Sequence, residues 1–99
     1  MAQITITLLS GDPDADPQEF QVGVVGEDNT KTTHRVTVSQ EQYQKLTGGL
    51  RSTEELVKAS FEFLLEREAT REILQNFDLS QIQKYFPEYE AVISSQLAK

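Results

Sequence analysis

The carboxylates that could bind a cation are clustered near the start of the chain. Asp12, Asp14 and Asp16 have the Asp-x-Asp-x-Asp spacing with which calcium loops begin. An EF-hand loop also needs a glycine at its sixth position and a bidentate glutamate at its twelfth. This chain has Pro17 and Gly23 at those two positions. We therefore interpret the stretch as a solvated acidic loop, with weak and non-specific attraction of cations as the alternative.

The only histidine in the chain is His34, and there is no cysteine. Disulfides and thiolate metal sites are therefore excluded, and the sequence has no Gly-x-Ser-x-Gly elbow to supply a serine nucleophile. The surrounding alternation places His34 on the apolar side of a strand. We expect it to be a hydrogen-bonded structural residue, with a pH-sensitive contact as the alternative.

Two further patterns have simple structural explanations. Glu62 and Glu66 share one helical face, but a carboxylate-bridged metal site would need Glu-x-x-His motifs on partner helices. Gly48 and Gly49 lack the spacing of a phosphate-binding loop and are typical of a helix end. We predict no catalytic residue, no cofactor and no metal, and we expect no pocket that joins two carboxylates with raised pKa values.

Composition sets the broad class of protein. The 99 residues are 25% charged and 37% hydrophobic, which suits one α+β domain spanning residues 1–99. The net charge of −7 disfavours nucleic acid and anionic membrane surfaces as partners. There is no basic region before an apolar run, as a signal peptide needs, and no apolar stretch approaches the ~20 residues of a membrane span. We expect a cytoplasmic protein without a membrane or small-molecule partner.

Three stretches near the N-terminus alternate between apolar and polar residues, which is the period of half-buried strands. They cover residues 3–9, 20–24 and 32–38. A short turn-forming link at 26–29 favours an antiparallel hairpin between the second and third stretches, and the first stretch is expected to pair beside them.

Helix signals follow the strands. Ser39 and Ser52 each begin a capping-box pattern, so we predict a short helix ended by Gly48-Gly49 and a longer one over about 53–68. Thr70 is expected to cap a third helix that carries Ile73, Leu74 and Phe77. A fourth should start at Asp78 or Ser80, and a last one near Pro87. The expected fold is α+β, with a three-stranded antiparallel N-terminal sheet followed by four or five helices packed on one face.

Three aromatic residues cluster at the predicted break between the last two helices, in the sequence YFPEY. Tyr85, Phe86 and Tyr89 lie around Pro87. Aromatics at such a break can pack two helices together, or they can anchor a partner, because tyrosine is enriched at binding hot spots. Both interpretations stay open from the sequence.

The window 35–68 resembles a ribbon-helix-helix DNA-binding module: a short strand, a helix, a glycine turn and a Ser/Thr-capped helix. In that family the strand pairs with a symmetry mate and its outward side chains read bases in the major groove. The resemblance implies that Thr33, Arg35 and Thr37 would face bases. It also implies that the helix start at Ser52 and Thr53 would offer backbone N–H groups to a phosphate. Residues 31–51 carry four basic residues against one acid, which agrees with this hypothesis.

A longer resemblance rests on SFEFLLERE…ILQNFDLSQIQKYFPEYE, within roughly residues 32–93. These motifs are similar to the tail of a family of short bacterial proteins without an assigned function. The resemblance implies a small bacterial cytosolic protein and no particular activity. We therefore expect a non-enzymatic module that self-associates or binds a protein partner, and the alternative is a ribbon-helix-helix-like regulator or antitoxin.

Overall fold

The three alternating stretches form a meander of antiparallel strands. A computed structural model describes residues 3–9, 16–26, 29–68 and 72–97. In it β1 (Gln3–Leu8), β2 (Gln18–Val25) and β3 (Lys31–Val38) pair in chain order. Asp12, Asp14 and the expected cap Thr70 lie outside the described residues.

The pleat separates the two faces of this sheet. Successive side chains of a strand point to opposite faces, so even-numbered residues of β2 and β3 face the helices and odd-numbered ones face solvent. Gln21, Thr33 and Arg35 are exposed on the open face. The buried side chains of these two strands are Phe20, Val22, Val24, His34, Val36 and Val38.

Two capped helices follow β3, as the sequence predicts. The hydroxyl of Ser39 accepts a hydrogen bond from the Gln42 N–H at the start of α1 (Gln40–Thr47), and Gly48 ends that helix at φ 62°. α2 (Thr53–Leu65) begins with a complete capping box. There the Ser52 hydroxyl accepts from the Glu55 N–H at 3.1 Å, and the Ser52 N–H donates to the Glu55 carboxylate at 3.3 Å.

The expected third helix was wrong: residues 76–78 form a strand instead. β4 (Asn76–Asp78) pairs parallel with β3 at its outer edge. The Arg35 N–H donates to the Gln75 carbonyl at 2.6 Å, and the Leu79 N–H donates to the Thr37 carbonyl at 3.0 Å. Backbone groups at a buried sheet edge need partners, and this need outweighs the weak local preference for helix.

The sheet is therefore mixed and four-stranded, in the order β1-β2-β3-β4, and not the three-stranded antiparallel sheet expected. The α+β class is confirmed. Two short helices complete the described part of the chain, α3 (Ser80–Tyr85) and α4 (Tyr89–Leu97). Asp78, at the end of β4, is bonded to the first residues of α3: its carboxylate accepts from the Ser80 N–H, and its own N–H donates to the Gln81 side-chain oxygen.

The centre of the core is the ring of Phe61 in α2, which is 0% exposed. Its centroid lies 5.4 Å from the His34 ring and 5.8 Å from the Phe77 ring. One aromatic residue therefore joins α2 to the third and fourth strands.

We expect Phe61→Ala to lower the free energy of unfolding by about 3–5 kcal/mol, because it removes a fully buried ring and leaves a cavity. Urea unfolding followed by circular dichroism measures the change. Leu50→Ala is the control: Leu50 is 74% exposed, so its loss should stay within about 0.5 kcal/mol. Similar unfolding midpoints for the two variants would contradict the burial of Phe61.

We expect Ser52→Ala to cost about 1 kcal/mol, because the Glu55 N–H loses its side-chain acceptor at the start of α2. Ser52→Asp keeps an acceptor at the cap and should recover most of that loss. Thermal unfolding of the three proteins provides the comparison. If aspartate and alanine were equally destabilising, the cap would not be the source of the effect.

Candidate functional site

His34 is part of the core. Its Nδ1 lies 2.6 Å from the Leu74 carbonyl oxygen and its Nε2 lies 2.8 Å from the Thr32 hydroxyl. A carbonyl only accepts, so Nδ1–H is the donor, and in the neutral ring Nε2 accepts from the Thr32 hydroxyl. Burial lowers the pKa of His34 below its usual value, against the opposing effect of the Leu74 carbonyl. His34 is a structural residue that fixes the backbone at Leu74.

Of the acidic residues flagged by spacing, Asp16, Glu62 and Glu66 lie within the described part of the chain. The Asp16 carboxylate accepts from the Gln40 N–H at 2.9 Å. Glu62 and Glu66 are exposed, and Glu66 lies 3.3 Å from Arg67. Within the described ranges, no group of three or more such side chains could hold a metal ion.

The structure separates the three aromatics that the sequence grouped as partner anchors. Tyr89 is fully buried and its hydroxyl lies 2.6 Å from the Ser60 hydroxyl. Tyr89 and the half-buried Phe86 both meet the Phe63 ring edge-on, at 5.3 and 5.8 Å. These two residues therefore pack helices together, as the packing interpretation expects, and Tyr85 is the one of the three that is exposed, at 67%.

The residues of the DNA-binding hypothesis lie on the open sheet face and at the start of α2. Thr33 and Arg35 are exposed and Thr37 is half-buried. β3 is paired with β2 along its length and with β4 at 35–37, so it is not a free ribbon strand for a symmetry mate. At the other proposed contact, beside the half-buried Thr53, the Ser52 and Glu55 N–H groups are already bonded within the capping box.

A shallow groove of about 190 Å³ lies between the end of α2, β4 and α3. We call it the α2–β4–α3 groove. Its apolar wall includes Leu74 and Tyr85, which are 49% and 67% exposed. The remaining described lining residues are Leu64, Glu68, Glu72, Ile73, Phe77, Gln81, Ile82 and Phe86.

Two carboxylates lie on this otherwise apolar groove. Burial raises the pKa of Glu68, and the nearby charge of Glu72 raises it further. A raised pKa is shown here for Glu68, so the expectation that no pocket would join two carboxylates with raised pKa values is not contradicted and stays a prediction. Gln81 is the remaining polar residue of the described lining, and its side-chain oxygen accepts from the Asp78 N–H at 2.9 Å.

Sequence reasoning missed the groove because it buried Ile73 and Leu74 on a helix. One signal was present. Asp78 and Gln81 have the spacing of a helix cap and its N3 partner, which starts a new helix directly after Phe77. The segment 72–77 is then too short to form a separate helix and must pack against other elements.

Comparisons with protein-family models, curated proteins and solved structures gave no significant match. Both family resemblances therefore stay predictions. Among the described residues, no helix combines the length and apolar character needed to cross a membrane.

We expect His34 to make stability depend on pH. Because the pKa of His34 is lowered in the folded protein, the unfolded chain takes up a proton at a higher pH than the folded protein does. The contribution of His34 to stability is therefore fully present above pH 6.5, the ordinary pKa of histidine. It is lost as the pH falls below that value. The urea unfolding midpoint of the wild type should decline as the pH is lowered from above 6.5 to below it.

His34→Gln is the control, because glutamine hydrogen-bonds but does not titrate, and its midpoints should decline less over the same range. Carboxylates titrate in both proteins, so the difference between the two curves isolates the histidine. Parallel curves would show that His34 does not cause the dependence.

Proposed function

We propose that this protein is a non-enzymatic protein-interaction module. Its α2–β4–α3 groove would bind a segment of another protein that carries an apolar anchor flanked by lysine or arginine. The observation that carries the proposal is an exposed apolar wall beside the carboxylate of Glu68.

The apolar wall supports an anchor side chain as the bound group. Leu74 and Tyr85 are large and exposed, and they line the groove together with the buried Phe77 and Ile82. A partner side chain seated here would remove apolar surface from water, which is the main favourable term in association. At about 190 Å³ the groove is smaller than the roughly 300–1,000 Å³ of typical small-molecule sites. This size favours a single anchoring side chain over a cofactor.

The charge of the groove supports a basic partner. Its described lining has two carboxylates and no lysine or arginine, on a chain with net charge −7. The raised pKa of Glu68 means that its charged form is destabilised in the folded protein. A cation arriving nearby relieves that destabilisation, and the net charge speeds the encounter with a basic segment.

The same residues give weaker support to catalysis. Two carboxylates could perform acid–base work, but the described lining supplies no histidine, serine or lysine to act with them. Gln81 is already bonded to the backbone of Asp78. An apolar wall with charge at its margin is the pattern of a binding surface.

The DNA-binding alternative has less support. Arg35 is exposed, but its carboxylate neighbour Glu19 lies 3.8 Å away across the strand pair. The capping-box carboxylate of Glu55 stands at the start of α2, where a phosphate would have to approach. We propose a cytoplasmic location as the sequence suggested, and the lack of cysteine is compatible with it.

The binding test uses a synthetic helical peptide with leucines at i and i+4 and lysines on both flanks. We expect it to shift the backbone amide NMR signals of Leu74, Phe77 and Tyr85, with affinity that falls as salt is added. A matched peptide with glutamates in place of the lysines should bind at least about tenfold more weakly. Equal binding of both peptides, or signal shifts confined to other surfaces, would refute the proposal.

Protein variants locate the two parts of the interaction. Leu74→Asp should abolish binding of the lysine peptide, and Leu50→Asp is its matched control, because Leu50 is exposed but lies outside the groove. The double variant Glu68→Gln and Glu72→Gln should lose the preference for lysine over glutamate peptides. If Leu74→Asp and Leu50→Asp bound the lysine peptide with the same affinity, the groove would not be the binding site.

A further inference from the structure

The outer edge of β1 is a second surface suited to binding, at the far side of the sheet from the groove. β1 is the first strand of the sheet and pairs only with β2 among the described strands. The Leu9 N–H donates to the Glu19 carbonyl at 2.8 Å. Hydrogen-bonded positions alternate along an antiparallel pair, so Thr5 and Thr7 also bond inward. The backbone N–H and C=O groups of Ile4, Ile6 and Leu8 therefore point away from β2.

This edge lacks the features that usually prevent pairing between chains. Exposed edge strands are normally protected by charged residues, proline or a bulge. Residues 3–9 read QITITLL, without a charge, a proline or a glycine, and all six residues of β1 keep a continuous register with β2. The side chains of Ile4, Ile6 and Leu8 are only half-buried against the core.

We infer that β1 pairs antiparallel with β1 of a second copy of this chain, across a two-fold axis at Ile6. In that register Ile6 lies opposite the partner's Ile6, and Ile4 lies opposite the partner's Leu8. The outward backbone groups of these residues then bond to one another. Thr5 lies opposite the partner's Thr7 on the open face, which is a favourable cross-strand pair.

The pairing register favours a second copy of this chain as the source of the partner strand. Residues 4–8 are self-complementary in size and polarity about Ile6, and a two-fold interface requires such complementarity. Each copy carries a net charge of −7, which would oppose association at most surfaces, but the paired strands are uncharged. The dimer would join two four-stranded sheets into one and cover the half-buried Ile4, Ile6 and Leu8 side chains. Its two grooves would lie at the outer ends, free for a partner.

The test is the solution mass, measured by sedimentation over a range of concentrations. We expect the wild type to approach twice the chain mass of 11.2 kDa as concentration rises. The double variant Thr5→Lys and Thr7→Lys places lysines opposite lysines across the axis, and it should remain at the monomer mass. Both threonines are exposed, so circular dichroism should show an unchanged fold.

A charge-matched variant tests the register itself. Thr5→Lys with Thr7→Glu places each lysine opposite the partner's glutamate, so the dimer should persist and become sensitive to salt. A monomeric wild type at all concentrations would overturn the inference. So would a double-lysine variant that still dimerises, or a lysine–glutamate variant as monomeric as the double-lysine one. Leu74→Asp should leave the mass unchanged, so failure of the groove proposal is recognised separately.

Discussion

The pairing of β4 with the outer edge of β3 is the interaction on which the rest of this structure depends. Arg35 and Thr37 present backbone groups at that edge, and the segment 75–79 supplies their partners. Two side-chain contacts reinforce the pairing. The Thr37 hydroxyl donates to the Asp78 carboxylate at 2.8 Å, and His34 donates to the Leu74 carbonyl. Phe77 is thereby placed against Phe61, and the polypeptide after α2 is drawn back across the core.

The groove follows from the same pairing. Once residues 76–78 are held as a strand, Ile73 and Leu74 lie between the end of α2 and the edge of the sheet, where Ile73 is buried but Leu74 stays 49% exposed. The Asp78 carboxylate then accepts a hydrogen bond from the Ser80 N–H at the start of α3, and Tyr85 at the end of that helix is left exposed. Burial raises the pKa of Asp78, but hydrogen bonds from Ser80 and Thr37 together outweigh it, so that the pKa is lowered. The carboxylate therefore stays charged and holds both neighbours.

The two edge strands of the sheet, β4 and β1, differ in length and in their surroundings. At one edge, β4 is only three residues long and α3 follows it directly, so this edge offers little backbone for pairing with another strand. At the other edge, β1 is longer, uncharged and uncovered by any described strand. The two surfaces lie at opposite ends of one sheet, so a dimer formed through β1 would present two grooves together. Such an arrangement raises the avidity for a partner that carries two binding segments.

Local patterns in the sequence were enough for much of the fold. The alternation in β1, β2 and β3, the caps at Ser39 and Ser52, and the stop at Gly48 depend on residues within a few positions of one another, and each is as expected. For the groove, Tyr85 was one of the three aromatic residues singled out as possible partner anchors, from their type and their place at the helix break around Pro87. Its neighbours Phe86 and Tyr89 share these features but are packed against Phe63, and nothing local separates an exposed aromatic residue from a buried one.

The class of fold and the start of each early helix were thus determined by the sequence itself, through side-chain periodicity and capping. The strand at 76–78, and with it the groove and the placement of Glu68 and Glu72, was decided only by the tertiary structure. The physical reason is distance along the chain: Thr37 and Asp78 are 41 residues apart. The backbone groups that make 76–78 a strand belong to β3, and no local window contains both partners.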